Sequence, residues 1–346
     1  MSAELDTFMA TMVAQARSLP HEDAVALVRE RYRLETHAVR LTGERDENFR
    51  LTARDGAEYV LKIANPAEDP AVTLLPAAAL AHIARTDAGF PCPRLVPERS
   101  GHTHVRFTDR DGVDRRAYLL TYLPGKLLGQ AARSSTQRAA CGHTAARLSR
   151  ALATFEHPAA HRAVVWDVRH VAYVRQLLGQ LPDLPSRHAA AEVLGRIVPP
   201  IESQLPLLRA QVVHNDMNPL NILVDPADEE RVTGVIDFGD ITHTALIADV
   251  AVAAAELIPQ QCQDAAQARE SVRDVAAAYH ERLPLLPREL ALLAALVAAR
   301  LLMNVVVHEW HVHHNPANDH YAALDADFIR ARLAIASRLS LEEIRL

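Results

Sequence analysis

Apolar and polar positions follow two rhythms along this chain. From His21 to Tyr32 the apolar residues Val25, Leu27, Val28 and Tyr32 recur at helical spacing, which predicts an amphipathic helix. The rhythm then shortens. Thr36–Leu41, Asn48–Ala53 and Tyr59–Ile63 read as strands, the last two joined by the hairpin turn Arg54-Asp55-Gly56-Ala57. Val72–Thr86 reads as a helix with Pro76 in its first turn and Gly89-Phe90-Pro91-Cys92-Pro93 as its stop. Val105–Phe107 and Ala117–Tyr122 are two more strands around the turn Asp109–Asp114, giving a small sheet of about five strands with one inserted helix. Leu123-Pro124-Gly125 breaks this pattern. Helical spacing then dominates: Thr136–Thr154, Val168–Gln180, His188–Leu208 (kinked or broken at Pro199-Pro200), Leu246–Leu257, Asp264–Leu283, Leu290–His311 and Asp319–Ser337. The expected organisation is α+β in two lobes: a sheet-rich lobe over 1–121, a hinge over 122–126 and a helical lobe over 127–346. A nucleotide base is expected against that hinge.

Composition narrows the classes. The chain has 346 residues, 49% hydrophobic and 23% charged, which suits a soluble protein of about two domains. A formal net charge of -6 and the lack of any basic block give no support for nucleic-acid binding. Cys92, Cys141 and Cys262 are scattered, so a reducing cytoplasm is expected in place of a disulfide framework. The first nineteen residues contain Glu4 and Asp6 and no long apolar core, unlike a secretory signal. Leu290–Val307 is interrupted by Arg300 and Asn304, so it reads as a buried helix and no membrane span is expected. The histidine-rich run His308–His314 has Val312 where a zinc-protease helix needs its second His; it reads as a helix end before Asn315-Pro316.

The chemistry concentrates in two short stretches. His214-Asn215-Asp216-Met217-Asn218-Pro219-Leu220-Asn221 has the form H-x-D-x-x-x-x-N, and one hairpin later comes Asp237-Phe238-Gly239. Phosphoryl transfer needs positioning, charge neutralisation and one base near the acceptor. Asp216 is the candidate base, able to orient an acceptor hydroxyl and take its proton. Asp237 and Asn221 are candidate Mg²⁺ ligands, one a charged oxygen and the other a neutral one. His214 is expected to orient the loop through a backbone hydrogen bond. Asp225-Pro226-Ala227-Asp228 reads as the hairpin turn. Asp240 either faces the acceptor or caps a helix beginning near Thr244. Lys62 is one cation within an apolar strand: an edge lysine with its head in water, or a phosphate contact. The downstream motif favours the phosphate contact. The stretch Thr42-Gly43-Glu44-Arg45-Asp46-Glu47-Asn48-Phe49 occupies the place of a phosphate-covering loop but has a single glycine.

These stretches, with Tyr59–Pro66 and Tyr122-Leu123-Pro124-Gly125, resemble the aminoglycoside phosphotransferase and choline kinase superfamily, closest to its hydroxylysine-kinase and homoserine-kinase-like branch. The resemblance covers nearly the whole chain. It implies a protein-kinase-like fold and phosphoryl transfer from ATP or GTP, with Mg²⁺, to the hydroxyl of an amino alcohol or hydroxy amino acid. It implies nucleotide binding by Lys62, catalysis by Asp216, metal binding by Asn221 and Asp237, and a buried Asp249 supporting the catalytic loop. Asn48, Tyr122 and Leu123 are further candidate nucleotide contacts. The helix after Lys62 has no acid in Leu74–Ala79, so Glu68 or Asp69 is its candidate partner. For the acceptor, Asp240, Arg300 and Trp310 are candidates. A buried guanidinium needs an anion; for Arg300 this is a substrate carboxylate or a buried acid such as Asp249. An aminoglycoside kinase needs many carboxylates, which the Ala/Leu-rich helices lack. A non-catalytic nucleotide-binding module is disfavoured by the complete set Lys62, Asp216, Asn221 and Asp237.

Overall fold

The computed structural model describes residues 2–13, 18–43, 45–181, 187–314, 324–341 and 343–346. Two units meet in sequence at Pro124 and Gly125: Asp6–Pro124, and Gly125–Leu346 with Met1–Leu5.

A helix that the residue pattern did not announce, α1 (Ser2–Val13), comes first. The smaller unit then contains α2 (His21–Tyr32), β1 (Thr36–Leu41), β2 (Glu47–Ala53), β3 (Glu58–Ile63), α3 (Pro70–Thr86), β4 (Leu95–Val96), β5 (Val105–Thr108) and β6 (Asp114–Thr121). The sheet is antiparallel in the order β1-β2-β3-β6-β4, with β5 also on β6. Period-two alternation sends Phe49, Leu51, Leu61, Ile63, Ala117 and Leu119 to one face, where they pack with Ala24, Leu27, Val28 and Tyr32 of α2. The other face carries Asn48, Lys62 and Tyr118, aligned across three neighbouring strands. Lys62 is therefore no edge lysine: β3 is internal and Lys62 is 8% exposed. The helix α3 starts earlier than its apolar rhythm suggested. Asp69 Oδ1 accepts the amide hydrogen of Ala71 at 2.7 Å, and Pro70 suits the first turn, whose amide needs no partner.

The larger unit contains β7 (Lys126–Leu127), α4 (Ser135–Leu152), α5 (Val174–Gln180), α6 (Arg187–Gln204), β8 (Ala210–Val213), β9 (Ile222–Asp225), β10 (Asp228–Val235), β11 (Thr242–Ala245), α7 (Leu246–Glu256), α8 (Ala265–Arg282), α9 (Pro287–His314) and α10 (Ala326–Leu339). α6 runs through Pro199 and Pro200 unbroken and ends at Gln204. Of the expected last helix, residues 319–323 lie outside the described residues, as do Glu44, Asn315 and Pro316. Leu246 to Ala255 of α7 are all buried, the mark of a helix enclosed on every side. α4 and α8 approach so closely at Gly142 that an added Cβ would stand 2.3 Å from the Val275 carbonyl oxygen. Most of the apolar run of α9 is buried in the same unit.

Two short ladders arrange the loops between them. β8 pairs with β11, closing at Val213 opposite Thr242, while β9 pairs with β10, closing at Ile222 opposite Val235. Residues 214–221 and 236–241 are thus the two connections between the same pair of ladders, which forces them side by side.

Candidate active site

His214 shows how the two connections are joined. It is fully buried. Its Nδ1 accepts the amide of Asp216 at 3.3 Å, so Nε2 carries the proton and donates to the Ile236 carbonyl at 3.2 Å. Its ring also meets Phe238 edge to face at 4.7 Å. The Ile236 amide donates in turn to the Asn221 carbonyl at 2.9 Å. The expected orienting role of His214 corresponds to this geometry.

Beneath the loop, Asp249 Oδ1 accepts the Asn215 amide at 2.7 Å. This holds Asn215 at φ 65°, in the left-handed region that non-glycine residues rarely adopt. Burial pushes the Asp249 carboxyl up to about 6, against the pull of the Asn215 and His214 amides. The folded state therefore favours the protonated acid. Its contribution should fall as pH rises from about 4 to 6 and stay level above. Between pH 4 and 7, denaturant unfolding should shift the stability difference in favour of Asp249→Asn by up to about 3 kcal/mol. A difference independent of pH would contradict this.

Asp216 is held on both oxygens. Asn218 Nδ2 donates to Oδ2 at 3.0 Å and Asn221 Nδ2 to the same atom at 2.7 Å. Arg300 Nη2 donates to Oδ1 at 2.9 Å. The side chain keeps 20% of its surface exposed. Removal from water pushes its carboxyl well above the ordinary range; Asp240 and Glu256 add to the rise and Arg300 opposes it. Such a group can accept a proton near neutrality.

Arg300 has the buried acids that one of its two expected readings required, though they are Glu256 and Asp216. Asp249 is not among its contacts. Its Nε donates to Glu256 Oε1 at 2.7 Å, its Nη2 to Asp216, and its Nη1 to the Trp166 carbonyl at 3.0 Å. The guanidinium also lies 5.1 Å from the Trp166 ring centroid. Burial works against its charge, but Glu256 and Asp216 hold it firmly protonated. Glu256 Oε1 accepts a second bond, from Asn304 Nδ2 at 2.9 Å. Asp240 is buried and adds its charge to the field at both Asp216 and Arg300. It is not the cap of the following helix: Thr244 belongs to β11, and the cap position of α7 is Ala245.

Trp310 does not join this group. It follows Arg300 by ten residues on α9, about 15 Å along a helix. Its indole donates to Gln180 Oε1 at 2.7 Å and stacks on His314 at 4.2 Å.

Asp237 sits at φ 57°, and its Oδ1 accepts the Gly239 amide at 3.1 Å. Arg162, which belongs to no motif, donates to the carbonyls of Gly239 and Ile241 and so fixes the turn that presents Asp237. Asn221 gives its amide nitrogen to Asp216, which leaves its carbonyl oxygen for a ligand. No group of three or more His, Cys, Asp or Glu side chains suited to a metal occurs among the described residues. One carboxylate and one amide oxygen fit Mg²⁺, which commonly takes few protein ligands and completes its shell with phosphate and water.

In the smaller unit, Asn48 and Lys62 face each other across β2 and β3. Asn48 Oδ1 is buried and accepts no hydrogen bond among the described residues. Gly43 is required by close packing: an added Cβ would lie 2.4 Å from the Asp46 carbonyl oxygen and 2.7 Å from Asn48 Nδ2. Asp69 caps α3, and Glu68 lies 3.9 Å from Arg45. The Tyr122 ring lies under the Arg50 guanidinium at 4.4 Å, and Leu123 is half-buried beside it in sequence.

The pattern of the Phosphotransferase enzyme family matches residues 37–285. The hydroxylysine kinase of Mus musculus is 27% identical over 301 residues, covering 81% of this chain and 79% of its own. Among solved structures, a microcompartment-associated aminopropanol kinase superposes with a TM-score of 0.67 at 20% identity, covering 94% of this chain and 99% of its own. Amicoumacin kinase, in a complex with AMP-PNP and Ca²⁺, gives a TM-score of 0.66 at 14% identity, with 93% of each chain covered. The antiparallel sheet of one unit and the helices of the other have the kinase-like architecture of these neighbours.

Proposed function

Because the chain belongs to the phosphotransferase enzyme family, we infer that it moves the γ-phosphoryl group of ATP or GTP onto the hydroxyl of a small molecule that also bears an amine. The observation that carries this reading is the fixation of Asp216, whose carboxylate is oriented by Arg300, Asn218 and Asn221 while part of it stays open. The acceptor oxygen attacks the γ-phosphorus, the bond to the β–γ bridging oxygen breaks, and the nucleoside diphosphate leaves. Asp216 takes the acceptor's proton. Asp237 and Asn221 would hold Mg²⁺, which when bound neutralises phosphate charge. Lys62 and Asn48 are the proposed nucleotide contacts on the sheet, with Tyr122 and Leu123 at its end. The likeness to a hydroxylysine kinase supports a hydroxylated amine as acceptor.

Diphosphate release with ATP and with GTP, across hydroxylysine, homoserine, choline, ethanolamine and kanamycin, tests this reading. Preference for kanamycin by more than about tenfold in kcat/KM, roughly 1.4 kcal/mol, would replace it with an antibiotic kinase. Lys62→Ala should lower turnover and raise the KM for the nucleotide, leaving the KM for the acceptor nearly unchanged. A shift confined to the acceptor would remove Lys62 from its role.

A further inference from the structure

We propose that the larger unit holds a second ligand site, apart from the proposed active site, and that its occupant is a medium-sized monocarboxylate: an apolar body with one acidic group. The site is a cavity of about 630 Å³, a size that encloses a drug-sized ligand. Leu5 of α1, Ala172 of the 3-10 helix Val168–Tyr173, Ile201 of α6 and Leu205 just after it supply apolar wall. All four belong to the larger unit. Ala210 of β8 and Ala245 of β11 also line the cavity. These two alanines pair at one end of their ladder, and Val213 pairs with Thr242 at the other, where the two active-site loops begin. Three residues of strand, roughly 10 Å, separate the two ends.

The basic and acidic side chains of the wall are uneven in number. Arg169, His170, Arg175 and His243 stand against the single carboxylate of Glu202. Arg169 is already committed: its Nη1 donates to the His243 carbonyl at 3.0 Å, and its Nη2 lies 3.1 Å from the Asp167 carboxylate. Arg175 is not. It is exposed, touches only the Leu194 carbonyl at 3.5 Å, and has no ion pair among the described residues. A guanidinium at the mouth of an apolar cavity can grip a carboxylate through two parallel hydrogen bonds. Glu202 is itself exposed, so its repulsion of an anion is screened by solvent.

His170 is the second polar handle. It lines the cavity, is 6% exposed, and has no hydrogen-bond partner on either ring nitrogen among the described residues. It sits where the 3-10 helix kinks, at φ -98° and ψ 15°, with its amide donating to the Asp167 carbonyl at 2.8 Å. Burial holds its imidazole below the ordinary range, so the ring is neutral and offers one N–H and one lone pair. A buried polar group with no bond costs stability. A carboxylate that accepts this N–H removes that cost.

The test uses the full chain with AMP-PNP and Mg²⁺ present, which keeps the proposed nucleotide contacts occupied. 8-Anilinonaphthalene-1-sulfonate, an apolar aromatic anion that fluoresces when it leaves water, should bind at one site per chain. Octanoate should displace it at least about tenfold more effectively than 1-octanol or octylamine. Arg175→Glu should weaken octanoate by at least about tenfold. His170→Phe keeps a ring and removes both nitrogens; it should weaken octanoate by at least about threefold, the scale of one hydrogen bond. The Arg175→Glu arm changes an exposed residue and decides the question even where His170→Phe does not fold. No saturable binding, displacement by 1-octanol as effective as by octanoate, or unchanged octanoate binding in Arg175→Glu or in folded His170→Phe overturns the inference. The measurement reads binding without phosphoryl transfer, so its failure leaves the phosphotransferase reading in place.

Discussion

Asp216→Ala should reduce turnover by at least about two orders of magnitude, close to 2.7 kcal/mol of transition-state stabilisation. Nucleotide affinity should change little, because the proposed partner of Asp216 is the acceptor hydroxyl. The contacts of Asp216 add a second effect. Its Oδ1 is one of two carboxylate oxygens on Arg300, which is almost wholly buried. Removing the carboxylate weakens the compensation of a buried cation, a change that can cost several kcal/mol of stability. Asp216→Asn keeps the shape and one acceptor oxygen for Arg300. It should be as inactive as the alanine variant but melt closer to the wild type. Single-turnover rates and melting curves for the pair separate chemistry from folding. More than half of wild-type turnover in either folded variant would exclude Asp216 as the base.

Asp237→Ala should abolish the divalent-dependent part of nucleotide binding. Asn221→Ala should raise the Mg²⁺ requirement by less, because an amide oxygen supplies only a dipole where Asp237 supplies a charge. The two should also differ in kind. Asn221 donates to Asp216 Oδ2 at 2.7 Å and to the Asp216 carbonyl at 3.0 Å, so its loss should depress turnover even when Mg²⁺ saturates. Nucleotide binding measured across a Mg²⁺ titration distinguishes them. Equal shifts in both variants, with no residual turnover defect in Asn221→Ala, would undo the assignment.

The sheet and the long helices were readable because burial imposes a period. The β1 span was read from end to end, and β2 and β3 to within a residue of their starts, since one face of each meets α2. The start of α3 was missed because a cap is set by one polar side chain and not by a rhythm. α1 is likewise not announced by the residue pattern. In the site, Asp216 and Asn221 could be found because loop chemistry fixes their spacing. The partners of Arg300 could not be, as they lie 84 and 44 residues away in sequence. Yet a signal existed. Arg300 and Asn304 are one helical turn apart in an apolar run, and Glu256 follows Asp249 by two turns on an otherwise apolar helix. Two polar stripes on two buried helices had to meet something, and in the structure Arg300 and Asn304 of one stripe meet Glu256 of the other. Trp310 was grouped with Arg300 by angle around the helix alone. Rise along the axis separates them.

Ile236 has its amide bound to the Asn221 carbonyl and its own carbonyl bound to His214. Considered as motion, the segment that carries the proposed base and the segment that carries the proposed metal carboxylate are one oscillating body. Neither can drift from the other unless the two hydrogen bonds of this one residue open together. Amide hydrogen exchange at Ile236 is then governed by opening of the whole block, and it belongs to the slow, globally protected class and not to that of the surrounding loops. Fluctuations that admit the acceptor or release the product are then expected elsewhere in the chain, with these two loops moving together.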